Sequence, residues 1–110
     1  WELRDTEVGN LSHGEQRQLE IVLALASDPK VILLDEPSAG LATGESREMA
    51  TFLKSLDPNI AILIIEHDLD VIFEVASHIS VLHYGELLTD GPADQIRNDP
   101  QVREIYLGQG

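Results

Sequence analysis

Four short clusters of residues carry side chains that could bind ions or transfer protons. They are residues 11–16 (LSHGEQ), 31–37 (VILLDEP), 38–41 (SAGL) and 66–68 (EHD). Carboxylates such as Asp35 and Glu36 are oxygen ligands for hard cations and can accept a proton from water. His67 can exchange a proton near neutral pH. These residue types could bind an ion and move a proton, provided that the flanking elements bring them together.

The first cluster begins a predicted helix. Ser12 at the N-cap and Glu15 three positions later form a capping-box pattern, in which each side chain accepts a hydrogen bond from a free backbone amide. With Gly14 in the first turn, this helix start presents N–H groups and a positive dipole end that favour a phosphate. An ordinary capped helix has the same pattern. The residues by themselves leave both interpretations open: Ser12 and Gly14 are the candidates for a phosphate contact, and Glu15 is assigned to capping because its carboxylate would repel an anion.

The second and fourth clusters end predicted strands. Asp35 closes an apolar run and is suited to hold Mg²⁺ directly or through water, with Glu36 at the strand exit. In a parallel sheet His67, at the end of the next strand, would fall beside both carboxylates. The alternatives are a solvated acidic strand end and a surface or helix-capping histidine. No metal-like spacing links the other histidines, which are His13, His78 and His83.

The elements that must position these residues follow from hydrophobic periodicity. An αβαβα order is predicted, with a helix from Ser12 towards Asp28-Pro29, later helices around residues 49–56 and 69–76, and buried strands at 31–34 and 60–65. The strand 31–34 is wholly apolar and is expected to be covered on both faces. A hairpin is predicted over 79–83 and 86–89, followed by short helices from Pro92 and over 100–107. This pattern indicates an open α/β sheet with a ligand crevice at its carboxyl edge.

The composition excludes several classes of protein. The 110 residues carry 20 acidic and 7 basic side chains, a net charge of −13, which disfavours a nucleic-acid partner. No apolar run approaches the roughly 20 residues of a membrane-spanning helix. The absence of cysteine excludes disulfides and thiol chemistry and favours a reducing, cytoplasmic compartment. Trp1 is not a natural start residue and no signal-peptide pattern follows it, so we expect that a preceding segment has been removed.

In order and type, the four clusters resemble the second half of an ATP-binding cassette (ABC) ATPase. LSHGEQ is similar to the signature motif of that family, VILLDEP to its Walker B strand with the adjacent glutamate, SAGL to the start of its D-loop, and His67 to its switch histidine. The resemblance covers nearly the whole chain from Leu11 onward. It implies an α/β fold: a partial P-loop NTPase (RecA-like) core with a mostly parallel sheet, flanking helices and a C-terminal hairpin.

The resemblance also implies roles for the residues that match the motifs. Ser12 and Gly14 would bind the γ-phosphate of an ATP held by the opposite subunit, and Asp35 would hold Mg²⁺. The catalytic residues would be Glu36, which polarises the attacking water, and His67, which contacts the γ-phosphate. ATP and Mg²⁺ are therefore the implied cofactors of a full-length dimer.

Other features mark a departure and a missing part. Ser38 and Ala39 would lie at the D-loop interface between subunits, where Ala42 replaces the aspartate that is common in the family. Communication between the two nucleotide sites is therefore expected to differ. The sequence contains neither a G-x-x-x-x-G-K-[ST] phosphate loop nor a glutamine loop. We interpret residues 1–110 as the C-terminal fragment of a single ABC ATPase domain, expected to be inactive alone.

The C-terminal part of the sequence narrows the resemblance. Residues 79–85 (ISVLHYG), Gly91-Pro92 and the tail 99–108 look like ATPases of branched-chain amino acid importers, with urea and amide importers as alternatives. The implied partners are a second ATPase subunit, membrane permease subunits and, indirectly, a periplasmic or surface solute-binding protein, with no nucleic acid. The protein would lie in the cytoplasm, peripheral on the inner face of the cell membrane.

Two other functions stay open. The first is a non-catalytic dimerisation or regulatory module, which the missing phosphate loop favours and the retained Asp35, Glu36 and His67 oppose. The second is a cassette ATPase of DNA repair or chromosome maintenance. The acidic charge, the missing coiled coil and the importer-like tail all disfavour it.

Overall fold

A computed structural model describes residues 8–106 of the chain. The elements in chain order are a 3₁₀ turn at Val8–Asn10, then α1 (His13–Leu25), β1 (Val31–Asp35), α2 (Thr43–Lys54), β2 (Ala61–Ile65), α3 (Leu69–Val75), β3 (His78–His83), β4 (Glu86–Pro92), α4 (Ala93–Arg97) and α5 (Pro100–Tyr106). The predicted order of helices and strands is confirmed. The expectations about Trp1 and about the tail beyond Tyr106 lie outside the described residues.

None of the helices within residues 8–106 combines the length and the apolar character needed to cross a membrane. The chain divides into two compact units, one ending at His67 and the other beginning at Asp68. The first unit contains α1, β1, α2 and β2, and the second contains α3 to α5 with the strands β3 and β4.

Helix α1 begins where the sequence predicts. Ser12 is the N-cap, its Oγ accepts from the Glu15 N–H at 3.1 Å, and its own N–H donates to Glu15 Oε1 at 2.9 Å. The reciprocal bonds of the predicted capping box are both present. The helix ends at Leu25, before Asp28, which has a left-handed φ of 55°, and Pro29, which disfavours further helix.

The first unit is built on a parallel strand pair. Strands β1 and β2 run side by side in a register that places Leu33 opposite Leu63 and Asp35 opposite Ile65. Helix α1 packs against α2. The buried apolar side chains of the first unit are Leu11, Ile21, Ile32, Met49, Ala50 and Leu53. Full burial of a side chain of this size contributes about 1.5–3 kcal/mol to folding, so these residues supply most of its hydrophobic stabilisation.

One face of this strand pair is open, which contradicts the prediction that residues 31–34 are covered on both faces. Side chains Val31, Leu33, Leu63 and Ile65 are between 56% and 71% exposed. The opposite face carries the buried Ile32 and the half-buried Leu34, Ile62 and Ile64. An apolar run predicts that both faces need cover, but within residues 8–106 only one of them has it.

The second unit contains the predicted hairpin. Strands β3 and β4 are antiparallel, with His83 opposite Glu86, and a register irregularity lies between Val81 and Leu82. The two turn residues, Tyr84 and Gly85, have φ values of 50° and 77°. Two consecutive positive φ values are typical of the tight turn whose twist matches paired strands. Val71, Ile96 and Val102 form the buried core of this unit.

Candidate functional site

The candidate site lies at the carboxyl ends of β1 and β2. Glu36 follows β1 directly, and its N–H donates to the Ile65 carbonyl at 2.6 Å, which continues the pairing of the strands by one residue. His67 follows β2, and its Nδ1 lies 2.7 Å from Glu36 Oε1. Both side chains are accessible, with His67 71% and Glu36 46% exposed. The prediction placed His67 beside Asp35 and Glu36. Its Glu36 part is confirmed by this contact, because parallel strands bring their carboxyl ends to one edge, whereas its Asp35 part stays a prediction.

Asp35 is the last residue of β1 and is exposed, opposite Ile65 in the register. Within residues 8–106 no group of three or more histidine, cysteine or acidic side chains is arranged to hold a metal ion. Mg²⁺ bound with nucleotide commonly uses one or two carboxylates, with waters and phosphate oxygens as its other ligands. An accessible carboxylate at this edge fits that donor set, and the role of Asp35 as a Mg²⁺ ligand stays a prediction.

The loop after Glu36 is fixed by a second carboxylate. Glu66 accepts from the Ser38 N–H through Oε2 and from the His67 N–H through Oε1, each at 3.1 Å. Ser38 is buried within this chain and Ala39 is partly exposed. The D-loop interface role of these two residues stays a prediction. Glu66 thus ties the backbone of the predicted D-loop to the backbone of His67.

Arg17 is a member of the site that sequence reasoning missed. It lies in the second turn of α1, and its Nη1 donates to the carbonyls of Glu36 at 3.1 Å and Pro37 at 2.9 Å. Glu36 itself has a φ of 48°, in the left-handed region that non-glycine residues rarely adopt. No sequence signal connects an arginine with a strand end 19 residues later, since only the packing of α1 brings them together.

The start of α1 is also occupied by a side chain that the sequence did not single out. The Gly14 N–H donates to Glu45 Oε2 at 3.2 Å, and the other oxygen, Oε1, accepts from the Ala42 N–H at 3.4 Å. A Cβ on Gly14 would lie 3.1 Å from Glu45 Oε2, so the absence of a side chain permits this approach. The amide predicted to contact phosphate therefore binds a carboxylate of the same chain, while Ser12 stays exposed.

The second unit contains another histidine and carboxylate pair. His78 Nε2 lies 2.7 Å from Asp90 Oδ1, and the Ser80 hydroxyl donates to the same oxygen at 2.7 Å. These bonds, first that of Ser80 and then that of His78, lower the pKa of Asp90 from its usual 3.8. His83 contacts the rings of Tyr84 and Tyr106. We interpret these as contacts that stabilise the hairpin.

Two family models match the chain. One, described as ABC transporter, matches residues 1–39, and the other, described as branched-chain amino acid ATP-binding cassette transporter, matches residues 86–110. Both models describe ABC transporters, so both ends of the chain are similar to the ABC transporter family, in agreement with the resemblance noted in the sequence.

Within that family, the chain is similar to ATP-binding proteins of amino acid transport. It is 36% identical over 110 residues to the high-affinity branched-chain amino acid transport ATP-binding protein BraF of Pseudomonas aeruginosa, covering 98% of this chain and 43% of BraF. It is 38% identical over 105 residues to LivG of Escherichia coli, with the same description, covering 94% of this chain and 41% of LivG. The chain therefore spans less than half the length of these relatives.

Solved structures show the same fold. An ATP-binding cassette of an ABC transporter in its ADP conformation superposes with a TM-score of 0.78 at 36% identity, covering 98% of this chain and 44% of that chain. A dimeric bacterial ABC transporter cassette superposes with a TM-score of 0.63 at 27% identity, covering 79% of this chain and 38% of that chain. The predicted α/β fold of the P-loop NTPase class is thereby confirmed.

Proposed function

We propose that this chain is the C-terminal part of an ATP-hydrolysing subunit of an importer for branched-chain amino acids. The whole ATPase subunit that would contain residues 1–110 as its C-terminal part is called the complete cassette below. The observation that carries the proposal is the 2.7 Å contact between His67 Nδ1 and Glu36 Oε1 at the carboxyl edge of paired parallel strands. Nucleotide binding is supported by the cassette solved in its ADP conformation.

The geometry suits activation of a water molecule by Glu36. An ionised carboxylate can only accept hydrogen bonds, so the contact with His67 requires a proton on Nδ1. Glu36 Oε2 is then the oxygen that accepts from the attacking water and takes its proton as the bond to the γ-phosphorus forms. The leaving group is ADP, and the transferred phosphoryl group departs as inorganic phosphate.

His67 can sense the phosphate through its other nitrogen. Because Nδ1–H is used on Glu36, Nε2 donates to a phosphoryl oxygen only when the ring is an imidazolium. An imidazolium that contacts a phosphoryl oxygen stabilises the negative charge of the phosphate. Asp35 would hold Mg²⁺, which neutralises charge on the phosphate oxygens when it is bound.

The open face of the strand pair supports the interpretation of residues 1–110 as part of one ABC ATPase domain. Val31, Leu33, Leu63 and Ile65 leave an apolar surface that we assign to contact with the N-terminal half of the complete cassette. The 110 residues contain no phosphate loop, so we expect them to be inactive alone. Their relatives are more than twice as long, which agrees with a missing half.

Assembly with a second subunit would complete the nucleotide site. The dimeric cassette among the solved structures supports a dimer. In it, Ser12 and Gly14 would contact the nucleotide held by the partner, and Glu45 would first release the Gly14 N–H. Ser38 and Ala39 would lie at the interface. Permease subunits would hold the dimer at the inner face of the membrane, and a solute-binding protein would act through them.

The transported substrate is proposed from similarity alone. The branched-chain family model matches residues 86–110, and BraF and LivG carry the same description. The proposed site would act on ATP whichever substrate is transported, so its residues do not distinguish between substrates. Urea and amides are therefore the alternatives that a transport assay must include.

The proposal is tested by Glu36→Gln in the complete cassette. Glutamine keeps the size of the side chain but cannot take a proton, so ATP hydrolysis should fall by about 10²–10⁴-fold while ATP still binds. Glu48→Gln, at an exposed position of α2, is the control and should hydrolyse at the normal rate. Hydrolysis by Glu36→Gln close to that of the control would refute the proposal.

Calorimetric titration of the 110-residue chain with ATP and Mg²⁺ tests the fragment interpretation. We expect no binding, because no phosphate loop is present in the sequence. Tight, magnesium-dependent binding would show that other groups hold the nucleotide and would contradict the fragment interpretation. Dimerisation with an intact ATPase, without any requirement for Glu36, would favour the module.

A further inference from the structure

Arg17 connects α1 with the backbone that carries the proposed catalytic carboxylate. Its half-buried side chain reaches from the second turn of the helix and donates through Nη1 to two consecutive carbonyls, those of Glu36 and Pro37. A guanidinium is charged at all relevant pH values, so these bonds are charge-assisted and stronger than neutral ones. They require both carbonyls to face α1.

The backbone at Glu36 needs such support. Its φ of 48° places a non-glycine residue in the left-handed region, a strained conformation that persists only where neighbouring contacts enforce it. On the N-terminal side, the Glu36 N–H is bonded to the Ile65 carbonyl at 2.6 Å. On the C-terminal side, the Glu36 carbonyl accepts from Arg17 and from the Ala39 N–H at 3.0 Å. Of these three hydrogen bonds, the one from Arg17 comes from an element outside the strand pair and its loop.

We propose that Arg17 is a positioning residue that aims the Glu36 carboxylate at the attacking water. This inference rests on the proposed function and adds a residue to it. The direction of a side chain follows from the φ and ψ of its own residue, so loss of the Arg17 bonds lets the strained backbone relax and swings the carboxylate away. A misplacement of about 1 Å in a reacting group can cost on the order of 10²-fold in rate.

Arginine suits this position better than lysine. The planar guanidinium places its N–H groups in a fixed plane and reaches two acceptors without reorganising, whereas an ammonium is a single flexible point charge. The placement of Arg17 has a further consequence, because Ser12 and Gly14 lie at the start of the same helix. A movement of α1 on phosphate binding would therefore reach the Glu36 loop directly.

The test compares variants of the complete cassette by kcat, by KM for ATP and by Tm. In Arg17→Met, which keeps the apolar stem and removes the donors, kcat should fall by about 10- to 100-fold, with KM changed by less than about threefold. Arg17→Lys should recover part of kcat, since an ammonium still donates to a carbonyl. Arg47→Met, an exposed arginine on α2 with the same change in charge, should keep normal kcat and KM.

A double variant distinguishes positioning from simple stabilisation. If Arg17 acts through Glu36, Arg17→Met added to Glu36→Gln should lower kcat by less than about twofold further. Independent losses that multiply would overturn the proposal, as would a normal kcat per folded molecule in Arg17→Met. Should Arg17→Met fail to fold, Arg17→Lys decides: reduced kcat at unchanged Tm supports positioning, and normal kcat overturns it. Activity retained by Glu36→Gln would instead refute the proposed function itself.

Discussion

The two units of the molecule each contain a histidine paired with a carboxylate at 2.7 Å, His67 with Glu36 and His78 with Asp90. The first pair joins the ends of two parallel strands, whereas the second lies across an antiparallel hairpin. Both pairs are substantially exposed, so neither distance nor burial separates them. The contacts around the two pairs differ, and this difference indicates which pair belongs to a functional site.

Around Glu36 the contacts act on the backbone. Arg17 and Glu66 hold the loop after β1, and Glu36 keeps a left-handed conformation that costs free energy. Around Asp90 the contacts act on the carboxylate itself, because Ser80 and His78 both bond to one oxygen. A strained residue whose backbone is held by its neighbours suits catalysis. A carboxylate saturated on one oxygen within a regular hairpin suits stabilisation.

The largest expected difference between the pairs is in ATP hydrolysis. In the complete cassette His67→Ala should lower kcat by about 10²-fold or more, because a group that contacts Glu36, and that we propose to contact phosphate, is lost. His78→Ala, which removes an imidazole from an equally short pair, should lower kcat by less than about twofold. Steady-state hydrolysis assays at saturating ATP measure both. Equal losses would mean that the two pairs do not differ in function.

Replacement of glycine by alanine should have opposite effects on stability in the two units, at Gly85 in the hairpin turn and at Gly44 in the first turn of α2. Gly85 has a φ of 77°, whereas Gly44 lies in the first turn of α2, and an added Cβ meets nothing within 4 Å at either position. Gly85→Ala should therefore destabilise the chain by about 1–2 kcal/mol through conformation alone. Gly44→Ala should stabilise it by up to about 1 kcal/mol through helix propensity.

Urea unfolding followed by circular dichroism tests this pair of variants, and amide hydrogen exchange in β3 and β4 locates the effect of Gly85→Ala. Because open space surrounds both glycines, packing predicts no difference between the variants. Destabilisation by the same amount at both positions would contradict a conformational cause.

The smallest expected effect concerns the pH dependence of the hairpin. The pKa of Asp90 is lowered by Ser80 and His78, so the unfolded chain binds more protons than the folded chain in the acid range. The associated stabilisation is complete above the ordinary value of 3.8 and is lost as the pH falls through the lowered pKa. Ser80→Ala should raise the pKa of Asp90 towards its ordinary value, since the hydrogen bond that lowers this pKa most is removed.

An NMR titration of the Asp90 carboxyl carbon measures this shift. Ser77→Ala, an exposed serine that precedes the same strand, is the matched control and should leave the Asp90 pKa unchanged. An unchanged pKa in Ser80→Ala would show that His78 alone lowers it and would weaken the contrast with Glu36.

Much of the fold was predictable because its signals are local. The capping box at Ser12 and Glu15, the prolines that follow helices, and the tight turn at Tyr84-Gly85 act within a few residues of chain. The proximity of His67 to Glu36 was also predictable, because two apolar strands followed by polar residues specify one edge of a parallel sheet.

The errors and omissions all involve contacts between distant parts of the chain. The apolar run 31–34 predicted cover on both faces, but Val31 and Leu33 are exposed. An apolar side chain is more stable when it is buried, but its presence does not show that another element lies over it. Glu45, 31 residues from Gly14, was missed because its contact depends on how α2 packs against α1.

The amino-acid sequence by itself determined the order of the elements, the types of residue at the strand ends and the edge of the sheet where they meet. These properties depend on chain-local preferences and on the periodicity of apolar residues. Only the tertiary structure decided that Arg17 supports Glu36, that Glu45 occupies the Gly14 amide and that the Glu36–His67 pair differs in context from His78–Asp90. Such contacts are set by the packing of helices and strands, because side chains far apart in the sequence meet only after the backbone has been placed.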